Sequence, residues 1–121
     1  MVLELNDENL SSAIDLCASV AHYHVLIYTD NKAEVANRVF DAINNKAISI
    51  VHPQLYAKPQ LRTLFTNNSI ITIVSASDNI RYLRGNLILY APEIYSEELY
   101  DNLRARERPY EYWSGMKCGI K

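Results

Sequence analysis

Apolar residues recur along this chain first at helical and then at strand spacing. From Asn9 to Ala21, the residues Leu10, Ala13, Ile14, Cys17 and Ala21 fall on one side of a 3.6-residue period, which predicts a helix. His24-Val-Leu-Ile-Tyr-Thr29 is a short unbroken apolar run, the pattern of a strand covered on both faces. Asn31 followed by Glu34 resembles a capping box, so a second helix is expected over 31–44, burying Val35, Ala36, Val39, Phe40 and Ile43. Ala47-Ile-Ser-Ile-Val51 reads as the next strand. Strand, helix and strand then make a βαβ unit, whose crossover is expected to be right-handed.

Beyond Val51 the pattern breaks, and Pro53 and Pro59 exclude a long helix before Leu61. Leu61–Thr66 and Ser69–Ser75 are β-rich runs separated by Asn67-Asn68, a hairpin signal because Asn tolerates the positive φ of a type I′ turn. Asn86–Tyr90 is a further apolar strand, stopped by Pro92. Ser96 is placed to cap a last helix through Arg106 that buries Leu99, Tyr100 and Leu103. The tail from Arg108 to Lys121 has no clear period. Helices alternating with short apolar strands predict one α/β domain over 1–121, in three layers, with a mostly parallel sheet and helices on both faces.

Composition narrows the function classes. The 121 residues are 49% hydrophobic and 21% charged, which suits one folded domain with a real core. The formal charge of −2 supplies no global attraction for nucleic acid, so any such contact must be a local basic patch. The two cysteines, Cys17 and Cys118, form no metal-ligand spacing, and His22, His24 and His52 have no ligand partners near them in sequence. No metal and no cofactor are expected. Acids in Met1–Glu8 disagree with a secretory leader, and no apolar run approaches the roughly 20 residues of a membrane span. These features predict a cytoplasmic chain with no membrane partner. Nine tyrosines and many Asn and Ile suit an AT-rich genome, such as many phages have, and then the host cytoplasm is the compartment.

The segment Asn67–Ile94 is the most distinctive. Asn67-Asn-Ser-Ile70, then Arg84-Gly85, then Leu87–Glu93 resemble, in order, three parts of the ATPase domain of viral terminase large subunits. Those domains carry an Asn-Gly-Ser strand, an Arg-Gly pair and a hydrophobic strand ending in Asp-Glu. Val25–Ile43 looks like the family's strand and helix that follow the nucleotide-binding helix. The resemblance spans about Val25 to Leu103 and implies a RecA-like, P-loop NTPase-like fold. This chain departs from the family at the chemistry. No GxxxxGK[ST] loop is present, and Pro92 stands where the family's magnesium-holding Asp belongs. Only Glu93 remains, as a vestige of the water-activating carboxylate, so no autonomous ATPase activity is expected. Ser75-Ala-Ser-Asp78 with Arg84-Gly85, and Leu103-Arg-Ala-Arg-Glu-Arg108, are more faintly similar to the second RecA-like domain of superfamily 2 helicases. That reading would require a helix over 59–67 in place of the hairpin.

Three roles follow. A degenerate ATPase fold that binds a protein partner is the first. A nucleic-acid-binding accessory domain is the second, and a subunit lending Glu93 or an arginine to a site on another chain is the third. Arg81 and Arg84 are candidates to grip phosphate, or else loop arginines that pair with Asp78 or cap carbonyls. Arg104 and Arg106 are candidates for the same phosphate contacts, or solvated charges favoured at a helix C-terminus. Tyr110, Tyr112 and Trp113 are candidates to bind a partner or stack on bases, or to fold back on the chain's own core. A homo-oligomer is open.

Overall fold

The computed structural model describes residues 1–57, 60–75, 78 and 83–110. The elements are β1 (Val2–Glu4), α1 (Asp7–Ser19), β2 (His24–Tyr28), α2 (Lys32–Asn45), β3 (Ile50–Ala57), β4 (Gln60–Phe65), β5 (Ile70–Val74), β6 (Leu87–Tyr90) and α3 (Glu97–Arg104), with a 3-10 turn at Pro92–Ile94. The six strands form one sheet in the order β1-β6-β2-β5-β4-β3. The pairings β1–β6, β6–β2 and β2–β5 are parallel, while β5–β4 and β4–β3 are antiparallel. The chain is therefore an α/β protein with a mostly parallel sheet.

Alternation along the strands divides the core in two. Val25, Ile27, Ile71, Ile73, Leu87 and Leu89 point one way and pack with Leu10, Ile14 and Cys17 of α1 and Val35, Val39 and Ile43 of α2. Leu26, Tyr28, Val74 and Ile88 point the other way and meet Leu103 of α3. That is why β2 and β6 read as unbroken apolar runs: each is covered on both sides. Burial also pushes the Cys17 thiol up to about 12, so it is a packed hydrophobe rather than a nucleophile.

Caps decide where the helices begin. Asn6 accepts from the Asn9 N–H at 2.7 Å, so α1 starts two residues before the expected Asn9. Asn31 caps α2 as expected, accepting from the Glu34 N–H at 3.2 Å, and Ser96 caps α3 through the Leu99 N–H at 3.0 Å.

The strand expected at Ala47–Val51 is displaced to Ile50–Ala57. The cause is the end of α2. Ala47 takes φ 54, its N–H bonds Asn44 O at 3.1 Å, and the Ile48 N–H bonds Ile43 O at 3.3 Å. This is a Schellman closure with alanine where glycine is usual, so composition concealed it. β3 then runs on through Pro53, at a sheet edge and across register shifts, where a missing N–H is tolerated. It runs in the same direction as β2, as the βαβ reading expects, but β5 and β4 lie between them. β1 is an element that the sequence reading missed: three residues are too few to show a period.

The hairpin at Asn67-Asn68 forms, with a longer loop than a two-residue type I′ turn. The Asn68 N–H bonds Phe65 O at 3.1 Å, Asn68 alone takes a positive φ of 71, and the Phe65 N–H bonds Ser69 O at 3.0 Å. Three loop residues with a left-handed third residue match the bulged hairpin class. β4 occupies 60–65, so the helix that the helicase-like reading would need at 59–67 is not what forms there.

This turn is also a clasp. The Asn67 amide donates to Cys17 O at 2.8 Å, at the C-terminus of α1. The fully buried Ser69 hydroxyl donates to Val20 O at 2.7 Å and accepts from the Tyr23 N–H at 3.0 Å. Asn67 and Ser69, two residues on which the resemblance to terminases rests, hold the α1–β2 turn in place.

Candidate functional site

Parallel α/β sheets place ligands at the carboxyl ends of their strands, because helix N-termini gather there. In this chain that end brings together the first turns of α1, α2 and α3, the 3-10 turn, and the ends of β1, β2, β5 and β6. Each of the three helix N-termini is closed by its own side chain: Asn6, Asn31 and Ser96. Each is also rimmed by carboxylates: Asp7 and Glu8 on α1, Glu34 on α2, Glu97 and Glu98 on α3. The β1–α1 junction is only Leu5-Asn6, and the Asn9 amide donates to Glu4 O across it at 2.7 Å. Among the described residues, carboxylates thus outnumber cations at this end, where Lys32 and Arg38 pair with Asp78 and Asp7.

Lys32, a cation at this end, is held by Asp78 at 3.1 Å, with Asp78 only 7% exposed. Burial opposes ionisation of Asp78, but the Ser75 N–H at 2.8 Å and the Lys32 ammonium outweigh it and keep its pKa below the ordinary carboxylate value. One reading of Arg81 and Arg84 pairs them with Asp78; among the described residues the ion pair that Asp78 makes is with Lys32 of α2. Spacing could not reveal it, since the two residues are far apart in sequence and meet only because β2 and β5 are neighbours.

Glu93 lies exposed in the 3-10 turn, beside a tyrosine cluster that sequence reasoning passed over. Tyr90 ends β6, Tyr95 follows the turn and Tyr100 projects from α3. Their ring centroids are 5.4 Å apart for Tyr90–Tyr95 and 6.3 Å for the other two pairs. Tyr95 is 51% exposed. Burial, then Glu4 and the neighbouring tyrosines, raise the Tyr90 phenol above its ordinary pKa, so it stays neutral near pH 7. A shallow groove beside the cluster is lined by Tyr28, Ile94, Ser96, Leu99 and Asn102.

The opposite end of the sheet gathers Arg84, Arg104, Arg106 and Arg108. Gly85, just before β6, forms a parallel bridge with Glu107. Its N–H bonds Arg106 O at 3.1 Å and its carbonyl accepts from the Arg108 N–H at 2.8 Å. A β-carbon at Gly85 would lie 3.2 Å from Leu87 O and 3.3 Å from Leu26 Cβ, so close packing explains the glycine of the Arg-Gly pair. Asn86 completes the joint, accepting from the His24 N–H and donating to Arg108 O. Arg84, Arg106 and Arg108, which sequence assigns to a loop and a tail, thus converge, with Arg104 exposed at the end of α3 beside them. Arg84 donates to Leu83 O at 2.7 Å and Arg106 to Asn102 Oδ1 at 3.2 Å.

Because β6 separates Arg84 from Glu93, the two cannot serve one reacting centre. Tyr110 folds back: its ring stacks on Tyr23 with centroids 6.3 Å apart, and its hydroxyl donates to Ala21 O at 2.6 Å. Arg81, Tyr112 and Trp113 lie outside the described residues.

Comparison with known proteins finds no matching family model, no similar curated protein and no matching solved structure. No helix among the described residues is long and apolar enough to cross a membrane, and the described residues hold no cluster of metal-ligating side chains.

Proposed function

We propose that this chain is a non-catalytic interaction module, a phage-type RecA-like fold degenerate from a terminase- or helicase-like ATPase, that binds a protein partner. The observation that carries the reading is the state of the carboxyl end. Helix N-termini that would hold phosphate are self-capped and acid-rimmed, and a tyrosine cluster with Tyr95 exposed stands beside them. Tyrosine supplies large, amphipathic contact area with little rotamer entropy to lose, and dominates interface hot spots.

The test is affinity capture from extracts of the cells that make the chain, followed by titration of the purified partner. Changing Tyr95 and Tyr100 together to Ala is expected to weaken that partner's binding about 30-fold or more, equivalent to about 2 kcal/mol. The variant also loses its ring contacts with Tyr90, so affinities are compared at a temperature where circular dichroism shows both proteins folded. Unchanged affinity in the double variant would count against this surface.

A second reading rests on the Gly85–Glu107 bridge, which turns scattered arginines into one basic end. It is a nucleic-acid accessory role. Arg84→Ala with Arg104→Ala should then lower affinity for single-stranded DNA uniformly across sequences. It should also flatten the dependence of log K on log salt by about 0.7–0.9 per lost phosphate contact. Wild-type protein that fails to bind at low salt would remove this reading.

A further inference from the structure

The formal charge of −2 conceals a strong polarity. The three α-helices of the described residues run opposite to the parallel strands. Acids favoured at helix N-termini therefore collect at the carboxyl end of the sheet, and basic residues following α3 collect at the other. Glu93, Glu97, Glu98 and Asp101 are exposed on the turn and helix that carry Tyr95 and Tyr100. At the far end of the same eight-residue helix, Arg104 is exposed, and the bridge places Arg84, Arg106 and Arg108 beside it. Glu107, an acid of that end, is paired with the Met1 amine.

The two ends complement each other in kind as well as in sign. A guanidinium stacks on a tyrosine face and forks onto a carboxylate, and the tyrosine end offers both. We propose that the acidic tyrosine end of one copy docks on the arginine end of a second copy, so that the chain assembles head to tail. The inference rests on the reading of the tyrosine cluster as a docking surface and names its occupant. Such a contact is heterologous: the pair keeps one unengaged acidic end and one unengaged basic end, so assembly continues until a ring closes or a filament grows.

Sedimentation of the purified, nuclease-treated chain over a range of concentrations tests this. At about 20 mM salt the average mass should rise with concentration past that of a dimer. At about 0.5 M salt, where the screening length falls to a few ångströms, it should return to the monomer. Glu97→Lys with Glu98→Lys places two cations within the acidic end, while Arg104→Glu weakens the positive end. Each variant alone should self-associate about tenfold more weakly or not at all.

Mixing the two variants should restore association, because the intact arginine end of the first meets the intact acidic end of the second. The product should stop at a one-to-one pair. If a charge variant folds poorly, Tyr95→Ala takes its place as the acidic-end block and should give the same loss. A wild type that stays monomeric at low salt would overturn the head-to-tail contact, as would variants that associate like wild type. Association that appears only with added nucleic acid would overturn it in favour of the polyanion reading. A monomeric wild type leaves capture of a different protein by the tyrosine end intact. Loss of the Tyr95/Tyr100 effect on capture would strike the underlying reading itself, so the two failures are distinguishable.

Discussion

Leu103→Ala is expected to cost about 2–5 kcal/mol of folding stability, the range for emptying a fully buried leucine site. Leu103 is 0% exposed and is the fully buried residue of α3, packed with Leu26, Tyr28, Val74 and Ile88. The consequence should reach function as well. α3 carries Tyr100, Glu97 and Glu98 at one end and Arg104 at the other, so a helix that loses its anchor misplaces both candidate surfaces. Urea unfolding followed by far-UV circular dichroism measures the first effect, and partner titration the second. Since α3 has only eight residues, it cannot persist alone and depends on this packing. A cost below about 1 kcal/mol would show that other contacts hold α3.

Ser69→Ala is the second large effect, expected at about 2–3 kcal/mol. The substitution removes one oxygen but deprives two backbone groups, the Tyr23 N–H and the Val20 carbonyl. Each deprived buried group costs about 1–3 kcal/mol, about 2–6 kcal/mol for the two, and partial access of water to the turn keeps the sum at the lower end. Ser69→Thr keeps the hydroxyl and should recover much of the loss if its extra methyl is accommodated. A fall in the urea midpoint without a change in slope would identify a loss of stability rather than a more compact denatured state. If Ser69→Ala left stability unchanged, the clasp between hairpin and α1 would be of no energetic consequence.

The elements that the sequence determined are those whose signal is local. The apolar run at His24–Tyr28, the periodic face of α2, the Asn31 and Ser96 caps and the positive φ at Asn68 are each decided by a few adjacent residues. What only tertiary structure decided depends on neighbours distant in the chain. Ala47 and Ile48 were consumed by a helix end that carries no glycine to announce it. β1 became a strand because β6 offered it a parallel edge. The tyrosine cluster joins Tyr90, Tyr95 and Tyr100 across a strand, a turn and a helix, and no single period contains all three. The arginines that sequence divided between loop and tail meet through a backbone bridge at Gly85, whose hydrogen bonds are independent of side-chain pattern. Composition gave the net charge, but its division between two ends followed from helix direction. Strand order sets that direction, and strand order arises from long-range pairing rather than local preference.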